Sequence, residues 1–351
     1  MKNVLLASTA VVLFAGAAAA EITFSGSADL GYNDNAAGDN DGFYSDLDVT
    51  AGLSVALDNG LTAAASLNLD DLGNGTDNGT VYELSLTSET AGLYYGDTNF
   101  AAQNVWVGAG DMAGDNFSES DGEEALRGEA TFGAVSAQVS YALADSAGVR
   151  NTGDDLQQLS IGAAADFGNV NVVVAYQEAF STAADGTAYN TANGDINDAE
   201  VFGLSVGTSF GGADVRLAFA DNGTDESTGI SVAYPVGPVT INASYAENST
   251  AGERWDLGAT YANGPVSVTV ETDENDDWSL EGSYDAGNGI MAYAGVVDAG
   301  DDFYVAGTYD LGSGASLLVS FVEDGGTANG DDEVGANDYQ IGTTVEVSFA
   351  F

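Results

Sequence analysis

From residue 21 onward the chain alternates apolar and polar residues in runs of about eight to eleven positions, the length that a tilted strand needs to cross a bilayer. The first run sets Ile22, Phe24, Ala28, Leu30 and Tyr32 against Ser25, Ser27 and Asp29. The next sets Leu47, Val49, Ala51, Leu53, Val55 and Leu57 against Asp46, Asp48, Thr50 and Ser54. Asp58-Asn59-Gly60 is a hairpin signal, and it returns the chain into Leu61, Ala63, Ala65, Leu67 and Leu69. At the far end Tyr339, Ile341, Val345, Val347, Phe349 and Phe351 share one parity, while Gln340, Thr344, Glu346 and Ser348 share the other. Alternate side chains of a strand point to opposite faces, so each segment has an oily face and a wet one. The expectation is that the whole odd set from Tyr339 to Phe351 faces outward.

The connections fall into two kinds that alternate along the chain. One kind is short and follows an aromatic residue, as at Phe132-Gly133, Phe167-Gly168-Asn169, Phe210-Gly211-Gly212, Tyr234-Pro235 and Tyr309-Asp310-Leu311-Gly312. The other is acidic and often longer, as at 98–123, 144–154, 179–198 and 323–338. A soluble sandwich gives no reason to sort its turns in this way. A membrane barrel does, with short turns beneath an aromatic girdle at one interface and polar loops at the other. Counting hairpins predicts about twenty strands. Trp255 and Trp278 start strands near the long-loop edge and read as girdle residues.

Charge follows the same division. Asp29, Asp46, Asp48, Glu83, Glu129, Asp214, Asp256, Glu271 and Glu281 take the wet parity, together with Arg127, Arg216 and Arg254. Unpartnered charges are not stable in a dry centre, so the interior must hold water. No stretch beyond the leader carries about 18 consecutive apolar residues, which removes a membrane helix and leaves a closed barrel as the spanning structure. Residues 1–20 read as a signal peptide: Lys2, an apolar stretch from Val4 to Ala15, and a small-residue site at Ala18-Ala19-Ala20. The expected barrel is then 21–351.

Composition narrows the chemistry. The net charge is −50, with 55 acidic residues against five basic ones, one of which is Lys2. Nucleic acid is excluded as a partner by repulsion. There is no Cys and no His, so disulfides, imidazole-based triads and His-ligated metals are absent. No enzyme activity is expected. The acidic clusters around Asp39 and Asp41, Asp273 to Asp277, and Asp331, Asp332 and Glu333 are candidates for weak Ca²⁺ binding, though none has the spacing of an EF-hand loop. No other cofactor is implied.

The leader, the opening strand Glu21-Ile22-Thr23-Phe24-Ser25-Gly26, the segment Gly92-Leu93-Tyr94-Tyr95-Gly96-Asp97 before a long loop, and the closing Phe349-Ala350-Phe351 together resemble a general-diffusion porin of the alphaproteobacterial type. The resemblance covers the mature length. It implies an all-β, transmembrane, antiparallel up-and-down barrel in the Gram-negative outer membrane, usually of sixteen strands, assembled as a homotrimer. It also implies that the terminal Phe351 is read by the barrel-assembly machinery, and that the third long loop folds into the lumen. By position that loop is 98–123, with Asp111, Asp115, Glu119, Asp121 and Glu123 as constriction acids and Arg127, Arg216 and Arg254 as wall bases. Trp106 is expected to pack the loop against the wall. Two departures stand out: a count of twenty strands, and too few arginines for a full basic cluster. The expected function is passive diffusion of small hydrophilic solutes and ions with a preference for cations. The competing reading is a non-conducting structural or adhesive barrel plugged by its own loops.

Overall fold

A computed structural model describes residues 20–35, 42–69, 80–120, 124–143, 156–180, 196–325 and 333–351. Its main sheet has twenty strands, each paired antiparallel with its chain neighbours, running from Glu21–Asn33 to Gly342–Ala350. The sheet closes on itself. The first strand pairs with Gly42–Ala56 on one side and with the last strand on the other, with Ala28 opposite Phe349. Closure satisfies every edge, the requirement for a sheet in lipid. The sixteen strands implied by the resemblance are therefore corrected to twenty, as the hairpin count had it.

The faces sort as the periodicity requires. Val139 stands opposite Ile161, Val174 opposite Leu204, and Val206 opposite Leu217, all on the outward face and exposed. On the inner face Ser140 pairs with Ser160, and Arg216 with Gly207 and Ser231. At the short-turn end Phe132, Phe167 and Phe210 project outward, with Phe132 73% and Phe210 80% exposed. The tight turns need left-handed backbone, which Gly133 supplies at φ 63°. Phe351 is stitched to the first strand by reciprocal backbone bonds with Gly26 at 2.9 and 3.0 Å, and its ring stays 43% exposed.

One expectation about the last stretch is overturned. Tyr339 and Ile341 do not face outward. Gly342, at φ 96°, breaks the strand, and Tyr339–Gln340 pairs instead with Glu333–Val334 in a separate two-stranded hairpin. Tyr339 is 5% exposed and packs with Val334, Tyr304, Ala306 and Val322, with Tyr293 and Ile341 at the cluster's margin. Tyr293 and Tyr304 lie on the wet parity of their strands, so this hairpin folds into the barrel. The physical reason is that parity carries no information across a residue with reversed φ. Val345, Phe349 and Phe351 keep the outward face.

Candidate functional site

The loop between strands Ala91–Asp97 and Glu124–Phe132 enters the barrel rather than covering its mouth. It opens with a short helix, Ala101–Val105, whose backbone N–H groups at Ala101 and Ala102 donate to Ser140 Oγ and Ser160 Oγ, both at 2.8 Å. Asn104 Nδ2 donates to Gln138 Oε1 at 2.8 Å. Further on, Gly114 N donates to Ser227 Oγ at 2.8 Å, Ala113 N to Asn248 Oδ1 at 3.0 Å, and Ser118 N to Gln177 Oε1 at 2.7 Å. All these acceptors project from the inner wall. Side chains of the wet face thus replace water around loop backbone groups that would otherwise be buried unpaired.

Room for the loop comes from small residues on that same face. Gly162, Ala175, Gly203 and Ala220 follow one another across neighbouring strands, and Ala218, Gly229 and Ala246 continue the lane. A Cβ on Gly162 would sit 2.2 Å from the Ala101 carbonyl oxygen, and one on Gly229 would sit 1.8 Å from that of Ala109. At Gly203 the Trp106 ring occupies the space. Trp106 also lies tilted against Phe117, ring centroids 5.5 Å apart, and donates Nε1–H to Asp115 Oδ2 at 2.9 Å, so with its ring at Gly203 it packs the loop on the wall as expected. The lane was missed in the sequence. Its signal, a series of Gly and Ala on the wet parity where other strands carry charge, was there to be read.

The charged candidates separate into four places. Asp115 and Glu119 flank a hollow of about 370 Å³ together with Gln103 and Trp106. Burial raises the Asp115 pKa above the ordinary carboxylate value, outweighing the lowering by Trp106. Asp111 is exposed, 3.9 Å from Arg254 Nε, and Arg254 Nη1 binds Glu274 Oε1 at 2.6 Å. The hydrogen bond from Arg254, followed by that from the Trp255 backbone, holds the Glu274 carboxyl down at about 2. Arg127 lies at the root of the loop. It pairs with Glu129 at 2.8 Å, bonds Thr98 Oγ1 through Nε and Nη2, and stacks 4.1 Å from the Tyr94 ring centroid. Arg216 stands apart and donates to Ser205 Oγ at 3.0 Å. It lines a lumenal cavity of about 830 Å³ whose other charged groups include Asp214, Asp256 and Glu271. Among the described residues Arg216 has no carboxylate within ion-pair range.

Asp121 and Glu123 lie outside the described residues, as do Asp39, Asp41, Asp331 and Asp332 of the Ca²⁺ candidates. Glu333 is described, at the start of the inward hairpin. Among the described residues no three acidic side chains gather as metal ligands would. None of their helices is long and apolar enough to span a membrane, which bears on helices alone.

A closed barrel with an oily exterior, a wet interior and a loop folded across its lumen is a transmembrane β-barrel channel by construction. The family model for Gram-negative porins matches residues 7–190 and 179–329, so the chain belongs to the Gram-negative porin family and is an outer-membrane barrel for passive diffusion. No curated protein matches it. Among solved structures it is similar to engineered variants of the porin of Rhodopseudomonas blastica. A two-substitution variant has 15% identity and TM-score 0.48, and a triple mutant 16% and 0.42, each over 94% of this chain and all of that one. Likeness of that degree carries nothing further.

Proposed function

We propose that the channel passes small hydrophilic solutes and ions with a preference for cations, selected at the inserted loop by width and charge. The observation that supports this most is the imbalance of lumenal charge. Asp29, Asp46, Asp48, Glu83 and Asp256 line the wall, and two of the three described arginines are already held by Glu129 and Glu274. Acids in a narrow wet passage raise local cation concentration and repel anions, and salt screens the effect over roughly 8 Å at 0.15 M. Reversal potentials of purified protein in a planar bilayer under a KCl gradient test it. Cation preference that weakens with rising ionic strength is expected. Anion preference overturns the selectivity, and absence of any current returns the non-conducting barrel.

The same reading takes residues 1–20 as a cleaved leader and the exposed Phe351 ring as the feature recognised during assembly. It takes the working unit as a homotrimer and any Ca²⁺ as weakly bound at outer acidic loops. Cross-linking of detergent-solubilised protein tests the trimer. A single-subunit band at every cross-linker concentration overturns it.

A further inference from the structure

We propose that the hairpin Glu333–Gln340 is a second constriction element, set at the same depth as the inserted loop and narrowing the channel from another part of the wall. This rests on the channel reading above. The first loop seats on the inner wall from the sixth strand to the fourteenth, from Arg127 and Thr98 to Arg254 and Asp111. The hairpin seats on the sixteenth to nineteenth strands (Trp278–Gly287, Ile290–Val297, Asp302–Gly312 and Ala315–Glu323), through Glu281, Tyr293, Tyr304 and Val322. Among the described residues the two footprints fall on different stretches of the wall, strands six to fourteen for the loop and sixteen to nineteen for the hairpin.

Depth agrees as well as position. Ser140 lies three residues inside the outer end of Val135–Leu143, and Gly229 three inside that of Glu226–Val236. Glu281 lies three residues inside the outer end of its strand, and Tyr304 two inside its own. At a strand rise of about 3.3 Å both inserts therefore meet the wall about 7–10 Å along the strands from their outer ends.

The hairpin is fastened, not merely resting there. Glu281 Oε2 accepts from Tyr304 Oη at 2.6 Å and from the Ala336 backbone N–H at 3.0 Å. Tyr339 lies 5.0 Å from the Tyr304 ring, in the apolar cluster with Val334. Its root is tied by Asn33, fully buried, whose Nδ2 donates to the Ile341 carbonyl at 2.9 Å and to Thr344 Oγ1 at 2.8 Å. An apolar cluster on the wet face of a barrel has no place unless something covers it, and the hairpin does so. The Glu281 carboxylate is accordingly a positioning group for the pore's width.

The test compares the full chain with two variants, Val334→Ser/Tyr339→Ser and Glu281→Gln/Tyr304→Phe, each checked for heat-modifiable migration as a folded barrel. Single-channel conductance in KCl and the entry of sugars of increasing size into liposomes are read. Conductance rising about 1.5-fold or more, with larger sugars admitted, is expected because pore lining and width set flux. Unchanged conductance and size limit in a folded variant overturn the proposal, and if the first variant fails to fold the second decides. Should the wild type pass no current while a variant does, the hairpin closes the pore instead of narrowing it, and both the constriction and the conducting reading of the native protein are overturned. Silence in all three overturns both.

Discussion

Asp115 shows how one side chain serves two demands. Its carboxylate accepts the Trp106 N–H, which orients the ring that fills the space at Gly203, and it also lines the hollow shared with Gln103 and Glu119. Burial raises its pKa, so folding disfavours the charged form. The sign follows: this residue penalises the folded loop at pH above its raised value, and the penalty is relieved as pH falls through that value. Cation preference is therefore expected to decline first as Asp115 takes up a proton, before the exposed acids do. In Asp115→Asn the amide oxygen still accepts from Trp106, but the first step is missing and preference at neutral pH is smaller. Reversal potentials measured from neutral pH to about 3 check this against ordinary carboxylate titration. Superimposable curves for the two proteins would remove Asp115 from the conduction path. That Trp106 and Asp111 belong to the inserted loop was legible, but the pairing of Asp111 with Arg254 was not, since 143 positions separate them.

Strands and loop depend on one another through the lane of small residues. Gly229 has no positive φ, so its strand tolerates a side chain; the obstacle is the Ala109 carbonyl 1.8 Å from where Cβ would stand. Gly229→Ala is expected to leave the barrel closed and to unseat the loop at that point. The channel should then show a broader spread of conductance levels and more frequent spontaneous closures in single-channel records. A trace indistinguishable from wild type would mean that the loop has slack there. Strand positions were readable because period-two alternation is local. The loop's seat was not, because its contacts join the backbone N–H of Ala113 to Asn248 and that of Ser118 to Gln177, positions with no periodic relation. The hairpin of Tyr339 failed for a related reason: its parity matched the following strand, and only packing on Tyr304 showed that it turned inward.

The barrel as a whole is organised by solvent on both faces. Leu257 lies outward and 49% exposed within Gly252–Asn263, while its neighbour Asp256 faces the lumen and accepts from Ser244 Oγ at 2.7 Å. Leu257→Arg is expected to cost about 2–4 kcal/mol of unfolding free energy, the value for a cation at mid-bilayer. Ser244→Arg, on the wet face, should cost much less. Denaturant titrations in lipid vesicles measure both, and equal costs would contradict the assignment of faces. At this scale the alternation of turn types gave the strand number correctly, while the family resemblance alone would have set it at sixteen.

Local chemistry written along the chain was sufficient for the strands, their inward and outward faces, the end that carries the aromatic turns, and the closed form that lipid imposes on a sheet with no spanning helix. Each of these depends on neighbours one or two positions apart, or on the solvent that each face meets. Tertiary structure alone decided which wall the third loop lies on, that Arg216 stands apart from Arg127 and Arg254, and that the chain's last outer hairpin shares the lumen. Those outcomes depend on shape and on partners brought together across the barrel, where a missing Cβ or a single carboxylate determines what can approach.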